Sequence, residues 1–283
     1  MIYPRPALLT PDARAGGPEP AESLAEMWFD VAGHRVHGWR ATPDADDRLQ
    51  GGVAIVPGLG LPPYTFPTAR AVAARGLTCT VLDLPGFGSD RLDATLPHIH
   101  AVGRAAAQWL VAQPPGAVTV LLGHSTGAQA ALTAALAVQE VRPDLALVLA
   151  GPTFVPRQRR FLPLAAAALT AYRRDSLREL VIAPSVARGR LGVVDILRSG
   201  MRDAPEARVR RLVLPLTLTA GEADSYAPRW WLGRLAAAAA LTPHVEVSTL
   251  PGSHNNVFTE PDQVAELVVR AATGPGLPVR PTG

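Results

Sequence analysis

Val118-Thr119-Val120-Leu121-Leu122-Gly123-His124-Ser125-Thr126-Gly127-Ala128 runs from an apolar, β-branched stretch straight into an alanine-rich one. The first half reads as a buried strand, and Ala128 to Ala137 reads as helix. Between them stands Gly-x-Ser-x-Gly, the pattern of a nucleophile elbow. Sterics explain the residue types. A serine on so tight a turn needs small residues two positions either side, because a Cβ there would meet the flanking backbone. The turn lifts the hydroxyl clear of the sheet, and the helix N-terminus below offers unpaired amides and a positive dipole end. In a chain with 25 glycines the pattern alone is weak. Its place between a strand and a helix gives it meaning.

Outward from this point, β-branched runs alternate with helical stretches. Met27 to Val31 and Arg35 to Ala41 read as an antiparallel hairpin. Strands are then expected at Gly52 to Val56, Thr78 to Asp83, Val118 to Leu122, Leu145 to Ala150, Leu214 to Thr219 and Val245 to Leu250. Helical patterns fall at Thr65 to Arg75, Pro97 to Gln113, Thr126 to Val141, Pro228 to Leu241 and Pro261 to Ala272. Such alternation builds an α/β fold, a mainly parallel sheet covered on both faces. Ligands of such sheets bind at the carboxyl ends of the strands, which directs attention to the loops after Val56, Leu122, Thr219 and Leu250.

From Pro152 to Leu212 the alternation stops, and the segment reads as helices around Leu162 to Leu180, Leu191 to Met201 and Pro205 to Leu212. It is too long for an ordinary connection and is expected to be a helical insert. The organisation that follows is a proline-rich leader over 1–22, a core over 23–151 and 213–273, the insert over 152–212 and a tail over 274–283. No stretch of eighteen apolar residues offers a membrane span, and the first twenty residues lack the apolar core of a signal peptide. Cys79, the one cysteine, sits in an apolar run and reads as a small buried hydrophobe. Together these features suggest a cytoplasmic protein.

A serine hydroxyl attacks poorly until a base takes its proton, and the base, a histidine, needs a carboxylate to hold its tautomer. After the Leu214 to Thr219 strand comes Gly221-Glu222-Ala223-Asp224, closing at Pro228. After the Val245 to Leu250 strand comes Gly252-Ser253-His254. The order is Ser125, Asp224, His254. Glu222, Asp195 and Asp203 are the competing acids.

These segments in register resemble the α/β-hydrolase superfamily over about Met27 to Ala272. The elbow, the Gly-x-x-Asp turn and the histidine loop followed by Glu260-Pro261 all match. Asp83-Leu84-Pro85-Gly86-Phe87-Gly88-Ser89 resembles the turn after the family's fourth strand. The resemblance implies an eight-stranded α/β-hydrolase fold with a helical cap, and a Ser125-His254-Asp224 triad. It assigns the oxyanion hole to the backbone N–H groups of Leu59 and Thr126. There the match departs from the family, because Val56-Pro57-Gly58-Leu59-Gly60 carries proline where the family usually has histidine. A serine at 125 sets the chain apart from the haloalkane dehalogenase and epoxide hydrolase branches, which use an aspartate. The activity implied is hydrolysis of a carboxylic ester, lactone or thioester. Alternatives are C–C bond hydrolysis, perhydrolase chemistry, or a non-catalytic binding member of the fold. No metal or organic cofactor is implied.

The apolar residues of the insert make a hydrophobic cap over the triad, which implies a small-molecule substrate with an apolar portion. Gly58, Leu61, Tyr64, Phe154, Phe161 and Tyr172 are the candidate pocket residues. Trp230 and Trp231 are expected to pack near the acid loop. His124 is expected to pack beneath the elbow, and His98 and His100 to lie on the surface at a helix start. All 27 basic residues are arginine. Thirteen of them lie between Arg157 and Arg211, against five acids, whereas the rest of the chain is net acidic. We read this as the charged outer face of helices rather than as a membrane surface. Nucleic-acid binding is not expected, since no reading motif accompanies the arginines.

Overall fold

A computed structural model of the protein describes residues 24–31, 33–84, 95–171 and 183–274. The sheet comprises β1 (Ala25–Val31), β2 (His34–Ala41), β3 (Gly52–Val56), β4 (Thr78–Asp83), β5 (Val120–His124), β6 (Ala146–Ala150), β7 (Leu216–Gly221) and β8 (Val245–Leu250). The helices are α1 (Phe66–Ala73), α2 (Ile99–Ala112), α3 (Thr126–Val138), α4 (Phe161–Ala171), α5 (Ala183–Arg202), α6 (Pro205–Arg208), α7 (Arg229–Ala238), α8 (Asn256–Thr259) and α9 (Pro261–Thr273).

The eight strands form one sheet in the order β1-β2-β4-β3-β5-β6-β7-β8. β1 pairs antiparallel with β2, β2 antiparallel with β4, and every other pairing is parallel. This is the α/β-hydrolase fold. β3, β5 and β6 are buried along their whole length, as a parallel sheet covered on both faces demands. One face packs on α2, α3 and α7, with Trp109, Leu121, Leu149, Leu218 and Trp231 buried between. The other packs on α1 and α9, burying Ile55, Val72, Leu122, Val148 and Leu267. Each such side chain contributes about 1.5–3 kcal/mol by leaving water. Cys79 lies in the second layer, and burial pushes its thiol pKa up.

Register aligns the strand ends that matter. Val56 stands opposite Gly123, His124 opposite Ala150, and Gly221 opposite Leu250. The segments following β3, β5, β6, β7 and β8 therefore leave the sheet along one edge. Three expected strands begin two residues late or one residue late, at Val120, Leu216 and Ala146, and β5 and β7 run on by two residues. The extension of β5 to His124 brings the strand to the elbow itself.

Between β6 and β7 the described residues carry only helices and turns: α4, α5, α6 and two short 3-10 turns. The last half of α5 is the part that meets α2 and α3. Ser199 Oγ accepts the Ile99 amide at 2.9 Å, and the Gly200 carbonyl accepts from Gln129 Nε2 at 3.0 Å. Tyr172, the leader over 1–22, the tail beyond Gly274 and positions 85–89 of the turn after β4 lie outside the described residues. Among the described residues no helix is long and apolar enough to cross a membrane.

Candidate active site

Ser125 sits between β5 and α3 with φ 57° and ψ −125°, backbone angles an L-residue adopts only under constraint. Its N–H donates to the Ala150 carbonyl at 2.9 Å, which pins the turn to the neighbouring strand. The flanking glycines are there for space. A Cβ on Gly123 would lie 2.5 Å from the Gly127 carbonyl and 2.6 Å from Ala131 Cβ, and one on Gly127 would strike the Val56 carbonyl.

The loops after β7 and β8 deliver the two partners. His254 Nε2 stands 2.9 Å from Ser125 Oγ, and His254 Nδ1 stands 2.9 Å from Asp224 Oδ2. The other carboxylate oxygen, Oδ1, accepts the amides of Tyr226 at 2.8 Å and Ala227 at 3.0 Å. Both Asp224 and His254 are buried. Burial alone would raise the Asp224 pKa, but the charge and hydrogen bond of His254, with the two amides, outweigh it and hold the carboxyl below its usual range. The competing acids are elsewhere: Glu222 is exposed, Asp195 faces Arg198 at 3.8 Å, and Asp203 pairs with Arg208.

The loop after β3 differs from its expected arrangement. Leu59 lies in a 3-10 turn over Gly58–Gly60 with φ 53°, and its N–H donates to Thr126 Oγ1 at 2.7 Å. Leu59 and Thr126 were expected to present separate amides; instead the Thr126 hydroxyl occupies the Leu59 amide. A hydroxyl on the residue after the nucleophile reaches that amide because Thr126 opens α3 directly beneath the loop. The Thr126 amide, in the first turn of α3, has no intrahelical acceptor.

The pocket candidates divide. Gly58 is beside the nucleophile: a Cβ on it would lie 2.8 Å from Ser125 Cβ. Phe154 is buried with Ala167 and Tyr226, and Leu164, Ala168, Leu197 and Met201 pack against them. Leu61 and Tyr64, expected on the pocket wall, instead belong to the core layer below α1 and α9. Tyr64 turns its hydroxyl inward, to the Gly58 amide and His124. Phe161, also expected on the wall, is 76% exposed. The inward stripe of α4 reaches the site through Leu164, Ala167 and Ala168, and Phe161 overhangs it by one turn. Trp231 donates its indole N–H to the Pro152 carbonyl at 2.9 Å, whereas Trp230 lies half exposed under Arg157. His98 is exposed, and His100 is partly exposed with Asp203 at 3.8 Å.

Two further residues enter the site. The Tyr226 ring packs edge-on against His254, with centroids 4.7 Å apart. Gly151, just past β6 with φ 53°, leaves room for the histidine: a Cβ there would stand 3.1 Å from His254 Cε1 and 3.3 Å from Asp224 Oδ2. Their sequence signals were slight, namely an aromatic two residues after the acid and a glycine ending a strand.

The geometry has relatives. A structure of a membrane phospholipase A, described as a bacterial virulence factor, superposes with a TM-score of 0.69 at 16% identity, covering 90% of this chain and 87% of that one. An enol-lactonase from Burkholderia xenovorans LB400 gives 0.62 at 17% identity, covering 88% and 100%. A thioesterase domain from the curacin biosynthetic pathway gives 0.61 at 15%, covering 87% and 99%. No curated protein sequence matches the chain. At such identities the likeness is one of fold. The sequence model described as the alpha/beta hydrolase family matches residues 53–267, a span that holds the loop after β3, the elbow, Asp224 and His254, and on that match the chain belongs to the alpha/beta hydrolase family.

Proposed function

We propose that this protein is a serine hydrolase that cleaves a carboxylic ester, or a lactone or thioester, through an acyl-enzyme intermediate. The observation that carries the reading is the continuous line Ser125 Oγ–His254 Nε2–His254 Nδ1–Asp224 Oδ2, with both steps at 2.9 Å. Nε2 takes the hydroxyl proton as Oγ attacks the carbonyl carbon. Nδ1–H faces Asp224, which favours the tautomer with Nε2 free to accept and stabilises the imidazolium that forms. The carbonyl π pair becomes an oxyanion, for which the Thr126 amide is a donor at the helix N-terminus. Collapse of that intermediate expels the alcohol or thiol, which takes its proton from His254. A water then repeats the sequence on the acyl-serine and releases the acid.

Tyr226, beside the His254 ring, and Phe154 and Ala167, clustered with Tyr226, support an apolar acyl or alcohol portion in the substrate. The enol-lactonase and the thioesterase domain among the structural relatives agree with a carbonyl substrate. Labelling with a fluorophosphonate probe, followed by peptide mapping, tests the reading. Modification of Ser125 in the wild type and silence in Ser125→Ala is the expected result. A folded wild type that takes up no label would instead favour a member of the fold that binds its ligand intact.

A further inference from the structure

His124 is the last residue of β5, next to Ser125, and it is 1% exposed with both ring nitrogens engaged. Nε2 lies 2.9 Å from the backbone carbonyl of His254, and Nδ1 lies 2.8 Å from the Tyr64 hydroxyl. The Tyr64 oxygen in turn accepts the Gly58 amide at 2.5 Å. These contacts have one consistent polarity. A carbonyl only accepts, so Nε2 carries the ring proton. A neutral ring then has Nδ1 as acceptor, so the Tyr64 O–H must donate to it. Burial, with the nearby His254, pushes the His124 pKa down to about 3, so the ring is neutral at ordinary pH and the polarity persists.

The two ends of this chain of bonds are the parts of the site that need to be held apart. One end is the amide of Gly58, which precedes Leu59 and packs against the nucleophile. The other is the main chain of the base itself. The intermediate member adjoins the serine. A phenylalanine at 64 and an apolar residue at 124 would fill the same space without burying polar groups that require partners. The bonded chain therefore fixes geometry that packing alone would leave free.

Building on the hydrolase reading, we propose that Tyr64 and His124 are positioning residues, which set the loop after β3 and the elbow against His254 through the Gly58–Tyr64–His124–His254 chain. Neither touches the substrate. The effect is on the spacing between the base and the loop after β3, where small displacements cost rate.

The test uses the full chain and two readouts, fluorophosphonate labelling rate and steady-state hydrolysis of a p-nitrophenyl ester, both normalised to folded protein. Tyr64→Phe and His124→Phe are expected to lower kcat and labelling by about tenfold or more, with KM within about twofold of wild type. The double variant should be no slower than the slower single one, because each breaks the same chain. Two variants restore half a chain each. His124→Asn can present an acceptor to Tyr64, and His124→Gln a donor to the His254 carbonyl, so both should be faster than His124→Phe. Should the phenylalanine variants fail to fold, His124→Asn and His124→Gln are still expected to fall below the wild-type kcat at unchanged KM, and wild-type kcat in both would overturn the positioning role. Wild-type kcat per folded molecule in Tyr64→Phe and His124→Phe, or a change confined to melting temperature, overturns the positioning role alone. A folded wild type that neither labels nor turns over the ester removes the hydrolase reading, and the positioning role with it.

Discussion

Asp224 meets His254 with one carboxylate oxygen and the backbone with the other: Oδ2 is 2.9 Å from Nδ1, while Oδ1 takes the Tyr226 and Ala227 amides. This division makes the acid sensitive to a substitution that preserves its shape. An asparagine would have to keep its oxygen on the two amides, since its NH2 cannot face N–H donors. The NH2 group would then point at Nδ1 and force that nitrogen to accept. Nε2 would carry the ring proton and could no longer take one from Ser125. We expect Asp224→Asn to fold and to lose about 10⁴ in kcat. Hydrolysis of an activated ester at pH 8 is the measurement, and retention of a tenth of the wild-type rate would contradict the assignment.

Ser125 carries a backbone conformation that costs about 1–3 kcal/mol for a residue with a Cβ. Both Ser125→Ala and Ser125→Gly remove the hydroxyl, but only glycine relieves the strain. Its greater freedom in the unfolded chain offsets about 0.4–1 kcal/mol of that relief. Thermal denaturation should rank Ser125→Gly above Ser125→Ala, with both inactive. The reverse order would show that the elbow stores no strain.

Gly151 offers a sharper probe of the spacing around the base. Its φ of 53° penalises any side chain, and the added Cβ would press on the edge of His254 at 3.1 Å. Gly151→Ala should cost about 1 kcal/mol in stability through the backbone. The rate should fall further than that, about tenfold, as the ring is displaced from Ser125. Comparing kcat with the denaturation midpoint separates the two. Equal wild-type rates would mean that the ring has slack.

The elbow, the order of serine, acid and histidine, and the parallel sheet were legible because each rests on local rules: continuous apolar β-branched runs, a turn with no room for Cβ, a loop after each strand. Asp224 was separable from Glu222 only through its position in the turn. What escaped the sequence depends on long-range contact. Tyr64 looked like wall because it follows the loop after β3, yet α1, α8 and β4 pack around its turn and its hydroxyl finds His124, sixty residues away in the chain. The engagement of the Leu59 amide by Thr126 Oγ1 is a contact between two loops that neither segment announces.

Phe154 and Phe161 were alike in sequence and are opposite in setting. Phe154 is 2% exposed among Ala167 and Tyr226, and Phe161 is 76% exposed. Phe154→Ala should destabilise by about 3–5 kcal/mol and change the preference among acyl chain lengths. Phe161→Ser should stay within about 0.5 kcal/mol of wild type and leave kcat/KM unchanged. Chemical denaturation with an ester series would show it, and a chain-length effect at Phe161 would return that residue to the pocket.

The buried, neutral His124 also sets an acid limit on stability. Its folded pKa is about 3, against about 6.5 in the unfolded chain. Between those values the unfolded state binds a proton that the folded state does not, so the native state loses ground as pH falls from about 6.5 toward 3, by up to about 1.4 kcal/mol per pH unit. His100, also held below its ordinary value, adds a contribution of the same sign from the surface. Asp224, Asp144 and Glu206 act lower down, since their depressed carboxyl pKa values place their loss below the ordinary carboxylate range. Wild-type stability should therefore already decline between pH 6.5 and 5, where those carboxylates are ionised in both states. His124→Gln has no proton to gain there. Its unfolding free energy should fall less over that interval, measured by urea denaturation at fixed ionic strength. Parallel curves for wild type and His124→Gln would mean that the ring is protonated in the fold, with Nδ1 then a donor and the Tyr64 bond reversed.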